Sequence, residues 1–484
     1  MKKTSIKKNF IMNALLTMSS FIFPLITFPY VSRILSPEGT GKVSFANSVI
    51  AYFALFAQLG IPTYGIRACA MVRDNKEKLS RTVQEIFIIN MVMTVITYIV
   101  FGITLVCVPR LQTERPLFLI MSTTLLFNAV GLDWLYRGLE KYTYITVRSI
   151  LFKFIALLAM FALIHQKSDY VIYGGISIFA SSASNICNLV NVHQYIQIRP
   201  VGKYQFRRHL KPVMIFFAMS CATTIYTNLD TVMLGFIKTD IDVGYYNAAV
   251  KIKSVLLGIV TSLGTVLLPR ASYYIEHHEM EEFRRITKKA INFVFLIAVP
   301  LTCYFILYAK EGILFLSGNE YMPAVLPMQI IMPTIIFIGL TNIMGIQMLV
   351  PMGCEKIVLY SEIAGAVVDL ALNTLLIPRL ASAGAAIGTL VAEGVVWIVQ
   401  FAALRKEVTP AYRNVYYGKV VLATAIGVVS SGWVKTLEMG NFATLLVSAI
   451  LFFGGYAIVL TVLKEPLVWE IENQVFTKVK GMIK

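Results

Sequence analysis

Charge is scarce in this sequence. Of its 484 residues 14% are Asp, Glu, Lys or Arg, while 57% are hydrophobic. Soluble domains carry about a quarter of their residues charged, so the composition excludes an ordinary soluble protein of this length. Paired cysteines are missing too. Cys69, Cys107, Cys187, Cys221, Cys303 and Cys354 form no C-x-x-C pair. Most sit in or beside apolar runs, where a thiol acts as a small hydrophobe and not as part of a disulfide framework. There is no Walker loop, no G-x-S-x-G and no H-E-x-x-H. This excludes ATP hydrolysis within the chain and the common hydrolase designs, and no enzyme activity is expected. Long polar loops are absent as well. The longest connections are 67–83, 196–211 and 270–288, too short to fold as domains. A polymerase or ligase of glycan assembly, which presents a substantial outer loop, does not fit.

What is present is a series of apolar runs of about 20 residues, each long enough to cross a bilayer. Fourteen are expected, at 9–32, 43–65, 84–107, 116–136, 145–165, 170–195, 212–236, 246–268, 289–309, 324–349, 357–377, 383–404, 416–436 and 442–463. Lys2, Lys3, Lys7 and Lys8 precede the first, which is too long for a signal peptide and lacks a cleavage site. With the N-terminus inside, 29 of the 43 Lys and Arg fall in inner segments and nine in outer loops. That alternation predicts both termini on the cytoplasmic side. It also gives the net charge of +17 a membrane explanation and removes the case for nucleic acid. After Lys464, Val468, Ile471, Val475, Val479 and Met482 form a stripe beside Trp469, predicting an amphipathic helix on the inner surface.

A weak internal repeat runs at an offset of 203: Gly41 with Gly244, Ala46 with Ala249, Arg67 with Arg270, Ala68 with Ala271. Six spans separate the copies, so the repeat is parallel, and transporters place substrate between such repeats. The expected organisation is all-α and integral to the membrane. A six-helix lobe covers 1–211, a second covers 212–404, and two further spans with a tail cover 405–484.

Two sets of polar residues fall at membrane depth, where an ionisable group is costly and a functional candidate by default. The first is basic. Asn247, Lys251, Ser254, Gly258, Ser262 and Thr265 share one face of span eight. Lys251 either faces a cavity or snorkels to the surface, and the polar face favours the cavity. Lys253 points the other way. Arg148 and Lys153 lie about 5 and 12 Å inside span five by helix rise. Such groups suit a phosphate-bearing substrate. Asp133 and Arg137, at i and i+4, are expected to pair. The second set is acidic. Asp369 and Asn373 share a face of span eleven with Glu362, while Thr389 and Glu393 share one of span twelve. With Asp230 on span seven they could hold a Na⁺ or a proton at one level, or form a packed network of paired charges. No organic cofactor is expected and no metal site is certain.

Three segments resemble the Wzx-type polysaccharide flippases, of the multidrug/oligosaccharidyl-lipid/polysaccharide exporter superfamily. They are Asp133-Trp-Leu-Tyr-Arg-Gly-Leu-Glu-Lys141 with Tyr144-Ile-Thr-Val-Arg148, Asn228-Leu-Asp-Thr-Val-Met-Leu-Gly235 with Val243-Gly-Tyr-Tyr-Asn-Ala-Ala249, and Phe28-Pro-Tyr-Val-Ser-Arg33 with Gly39-Thr-Gly41. The resemblance implies two pseudo-symmetric lobes around a central cavity lined by spans one, two, seven and eight. It implies movement of a polyprenyl-diphosphate-linked oligosaccharide across the bacterial cytoplasmic membrane by alternating access, for O-antigen, capsule or exopolysaccharide. Membrane lipids, a glycan polymerase and glycosyltransferases are the partners it implies. Two alternatives stay open: a drug/cation antiporter of the same superfamily, and a scaffold recruiting glycosyltransferases through basic loops such as Arg207, Arg208 and Lys211.

Overall fold

The computed structural model describes residues 6–470 and 472–473, and in them the chain is all-α. Inside a bilayer, backbone N–H and C=O groups have no water to bond, so a spanning chain closes its hydrogen bonds within helices. Among the described residues nine helices are long and apolar enough to cross, or ten with the bent pair Asn319–Ile331 and Thr334–Leu349. Two of them hold a break. Ile6–Gln58 is interrupted at Ser36 (φ 60°) and Glu355–Ala403 at Ala381 (φ 49°). Each therefore covers two of the expected crossings. The rest lie on helix too, span six as Tyr170–Ile178, a π-helical turn at Phe179–Ala183 and Asn185–Asn191. Fourteen crossings are consistent with this.

Not every proline ends a helix. Pro24 and Pro29 lie inside the first helix and Pro300 inside Met280–Leu307 without ending either. Span two instead ends at Leu59 and Gly60, both at positive φ, before Pro62 opens Ile61–Val72. Gly60 is needed there twice. Its φ of 70° is left-handed, and a Cβ would strike the Phe216–Phe217 backbone of span seven at 2.5 Å. Asp169 caps the turn before span six. It accepts from the backbone N–H of His165 and Gln166, which hold its carboxyl below the usual carboxylate range. The expected amphipathic tail lies mostly outside the described residues.

Contacts divide the chain into two units, Met1–Gly244 and Tyr245–Lys484. The first includes span seven, Arg207–Ile237, whose Gly235 lies against the Phe45 ring of span two. Its buried core joins Ile61, Tyr64, Leu79, Ile86, Trp134, Tyr136 and Val213. The residues paired by the repeat share their burial. Ala46, Ala249, Ala68 and Ala271 are all buried, while Arg67 and Arg270 are exposed.

In the first unit, residues 197–209 lie strapped on the opening turns of Lys76–Cys107. Gln84 donates to the carbonyls of Gln197 and Arg199 and accepts from Tyr204. The Gln197 N–H donates to Ser80, and Arg81 bonds the Lys203 carbonyl. Beneath them Glu85 is fully buried and accepts from the Gln205 N–H at 2.6 Å and from Arg208 at 2.6 and 3.0 Å. It also meets His209 Nε2 at 2.7 Å, while the other ring nitrogen meets the Tyr64 hydroxyl at 2.6 Å. A buried carboxylate survives only when paired and hydrogen-bonded in this way.

Candidate functional site

The acidic set converges within the second unit. Asp369 and Asn373, one helical turn apart on Glu355–Ala403, are 1% and 0% exposed. The return limb of the same helix, after the break at Ala381, presents Gly388 to both of them. A methyl group on Gly388 would fall on Asn373 Oδ1 and Asp369 Oδ1. The missing side chain lets span twelve approach the carboxylate and amide of span eleven. Beside it the Thr389 hydroxyl lies 3.0 Å from the Tyr246 hydroxyl of span eight and donates to the Ala385 carbonyl. Glu393, one turn on, is buried as well. Asp369, Asn373 and Thr389 thus share one buried region, and Tyr246 joins it. Tyr246 escaped the sequence reading because a tyrosine in an apolar run carries no charge to mark it. Asp230 is buried on span seven, in the first unit. Among the described residues no cluster of three His, Cys, Asp or Glu is arranged to hold a metal ion.

The basic set behaves differently. On span eight Asn247, Lys251 and Ser254 are half-buried and Ser262 is exposed, while Ala249, Ile252, Leu256 and Val260 are buried on the opposite side. The polar face is the less covered one, as a stripe that lines water or polar protein requires. Lys153, in the first unit, donates to the Ser19 and Ser20 hydroxyls of span one, at 2.9 Å each. Arg148 is 7% exposed. Its guanidinium donates to the Ser184 carbonyl at 3.0 Å and to Asp133 and Asn185 at 3.3 Å each. Asp133 also accepts from Arg137 at 2.5 Å, the i, i+4 pair expected from the spacing. Asp133 therefore bridges two arginines, a link the spacing alone could not reveal.

A family described as "Polysaccharide biosynthesis protein" matches residues 6–275, more than half of the chain. The chain belongs to that family. A second family, MatE, matches residues 216–375. Within the polysaccharide biosynthesis family, the resemblance to Wzx-type flippases drawn from the Asp133–Lys141 and Asn228–Gly235 segments stands. The chain is 28% identical over 393 residues to an Escherichia coli (strain K12) protein named "Putative O-antigen transporter", covering 81% of this chain and 94% of that one. Among solved structures, the "Lipid II flippase MurJ, inward closed conformation" matches with a TM-score of 0.74 at 14% identity. That match covers 95% of this chain and all of the other. An inward-facing multidrug resistance MATE family transporter matches with a TM-score of 0.64 at 14% identity, over 84% and 99%. At that identity the two structures speak for the fold alone.

Proposed function

We propose that this multi-pass membrane protein is a transporter, not an enzyme, and that it flips a lipid-linked glycan. The observation that carries the reading is the family match over residues 6–275, together with 28% identity over 81% of the chain to a protein named as an O-antigen transporter. The finer reading is that a polyprenyl-diphosphate-linked oligosaccharide repeat unit passes from the inner to the outer leaflet of the bacterial cytoplasmic membrane. The movement is alternating access, and both termini are cytoplasmic, in line with the Lys and Arg bias. The polysaccharide is an O-antigen, capsule or exopolysaccharide, and a polymerase and glycosyltransferases act on either side of the step.

In this reading Lys251, Asn247 and Ser254 in the second unit, and separately Lys153 in the first, are contacts for the diphosphate, while the Arg148 guanidinium is taken up by Asp133, Ser184 and Asn185. Asp369, Asn373, Thr389 and Glu393 of the second unit bind the Na⁺ or proton that biases the cycle. A chain without a nucleotide site draws on a gradient, on binding-state differences or on removal of the product from the far leaflet, and a cation that binds one conformation better is one such bias. The MatE match at residues 216–375 favours a second reading, a drug/cation antiporter. One experiment separates them. Purified protein in liposomes carrying a fluorescent undecaprenyl-diphosphate oligosaccharide should expose that lipid to an outer-leaflet glycosidase. Efflux of organic cations without lipid movement would overturn the flippase reading.

A further inference from the structure

A cleft of about 520 Å³ opens beside the first two turns of span five, Tyr142–Leu163, wholly within the first unit. Its wall includes Val147 and Leu151, 59% and 54% exposed on a helix that crosses the bilayer, so it faces hydrocarbon and not bulk water. Three donors belong to the same wall: Lys141, Thr143 and Arg148. Neither Thr143 Oγ1 nor Arg148 Nε has a hydrogen-bond partner among the described residues, although both are buried. An unpaired buried donor costs roughly 1–3 kcal/mol, which a bound acceptor would recover. The Lys141 ammonium stands 5.3 Å from the centre of the Tyr195 ring. Glu140, the acid of the wall, is held by Arg73 at 2.8 Å.

We propose that this cleft binds one anionic glycerophospholipid of the surrounding leaflet, with its phosphate at Lys141, Thr143 and Arg148 and its acyl chains along Val147, Leu151 and Phe152. Charge selects the occupant. The wall carries Lys141, Arg148 and Glu140, one net positive charge, which matches a phosphodiester. A carrier diphosphate bears more negative charge than the wall balances. Depth agrees. Arg148 is six residues into the helix, about 9 Å along its axis, near the inner edge of a headgroup zone about 5–8 Å thick per leaflet. The apolar wall excludes free phosphate as the occupant, because that ion would give up its hydration against hydrocarbon. Both Thr143 Oγ1 and Arg148 Nε are buried. A phosphate drawn in by Lys141 reaches Thr143 through a rotamer change of that side chain, while Arg148, held by Ser184, Asp133 and Asn185, acts in place.

The test is native mass spectrometry of the delipidated full-length protein with phosphatidylglycerol, phosphatidylcholine, undecaprenyl phosphate or inorganic phosphate. Lys141→Gln removes the mobile charge, and Leu151→Trp fills the cleft from a lipid-facing position that the fold tolerates. Unchanged melting in detergent verifies that both variants are folded. Phosphatidylglycerol should be retained in preference to phosphatidylcholine, and each variant should weaken its retention about tenfold. Retention that neither variant alters would overturn the site. Displacement of the lipid by inorganic phosphate, or stronger variant-sensitive retention of undecaprenyl phosphate, would overturn the assigned occupant.

Discussion

Gly41 and Gly244, related by the internal repeat, meet in the structure. A Cβ on Gly41 would fall on the Asp240 carbonyl and 2.9 Å from the Gly244 nitrogen, and a Cβ on Gly244 would fall on the Pro37 carbonyl. Pro37 and Asp240 are themselves separated by the repeat offset. The two copies therefore touch through equivalent positions, each glycine receiving the other's helix start. Arg110 closes the same junction by pairing with Asp240 and donating to the Gly235 carbonyl at 2.8 Å. If this junction opens and closes during transport, bulk at either glycine holds it open. Gly244→Val should abolish glycan export while leaving the protein inserted and monodisperse. Full export by Gly41→Val and by Gly244→Val would show that the junction never needs to close.

The Glu85 cluster predicts a stability effect away from any transport site. Glu85→Ala leaves the buried His209 and the Gln205 N–H without their shared acceptor and releases the exposed Arg208, a loss on the order of 1–3 kcal/mol. Its thermal aggregation point in detergent should fall well below that of the unaltered protein, with Glu85→Gln between them. The same contact alters the test of the scaffold alternative. Charge reversal at Arg208 would break this cluster, so only Arg207 and Lys211, both exposed, can probe recruitment cleanly.

For the coupling proposal, Asp369→Asn should make transport in liposomes insensitive to an imposed Na⁺ or proton gradient. Gly388→Ala should impair it too, because the added methyl meets Asp369 and Asn373. If transport by the unaltered protein already ignores both gradients, the cluster is a packed polar network and nothing more.

Lys251→Ala and Lys153→Ala should each lower export, the double variant more than either. Among the described residues Lys153 is anchored by two serine hydroxyls, so its loss should leave the fold in place. Normal surface polysaccharide from a strain carrying the double variant would remove both from the substrate path.

Topology has its own test. Lys203→Cys and Ser168→Cys occupy exposed positions that the Lys and Arg bias assigns to opposite faces of the membrane. An impermeant maleimide applied to intact cells should label Ser168→Cys alone. Labelling of Lys203→Cys as well would reverse or break the assignment.

Much of the fold was legible because the bilayer imposes so simple a rule. Apolar length gave the crossings, and a loosely matched repeat paired Ala46 with Ala249 and Ala68 with Ala271, each buried like its mate. The turning points were harder. Pro24, Pro29 and Pro300 continue their helices, whereas the first helix breaks at Ser36, the residue before Pro37. Neighbouring helices re-satisfy the groups a proline frees, and that depends on packing. In the candidate site, spacing identified Asp369 with Asn373, a helical neighbour. It gave no sign of Tyr246 or Gly388, which arrive from other segments. Arg148 shows the same limit: its depth was readable, but its ties to Asp133, Ser184 and Asn185 were not.

The strap at 197–209 bears on where such a chain can be cut. The join between two repeated halves is the obvious place to express them as separate pieces. Here a cut at Gly202 would move the Gln205 N–H, Arg208 and His209 to the other fragment and leave the Glu85 carboxylate buried with only Arg81 beside it. The first fragment would then carry an almost uncompensated charge in its interior. A split protein that reassembles must keep these residues with the piece that holds Glu85. What looks in the sequence like a tether between duplicated halves is, physically, the closing stitch of the first.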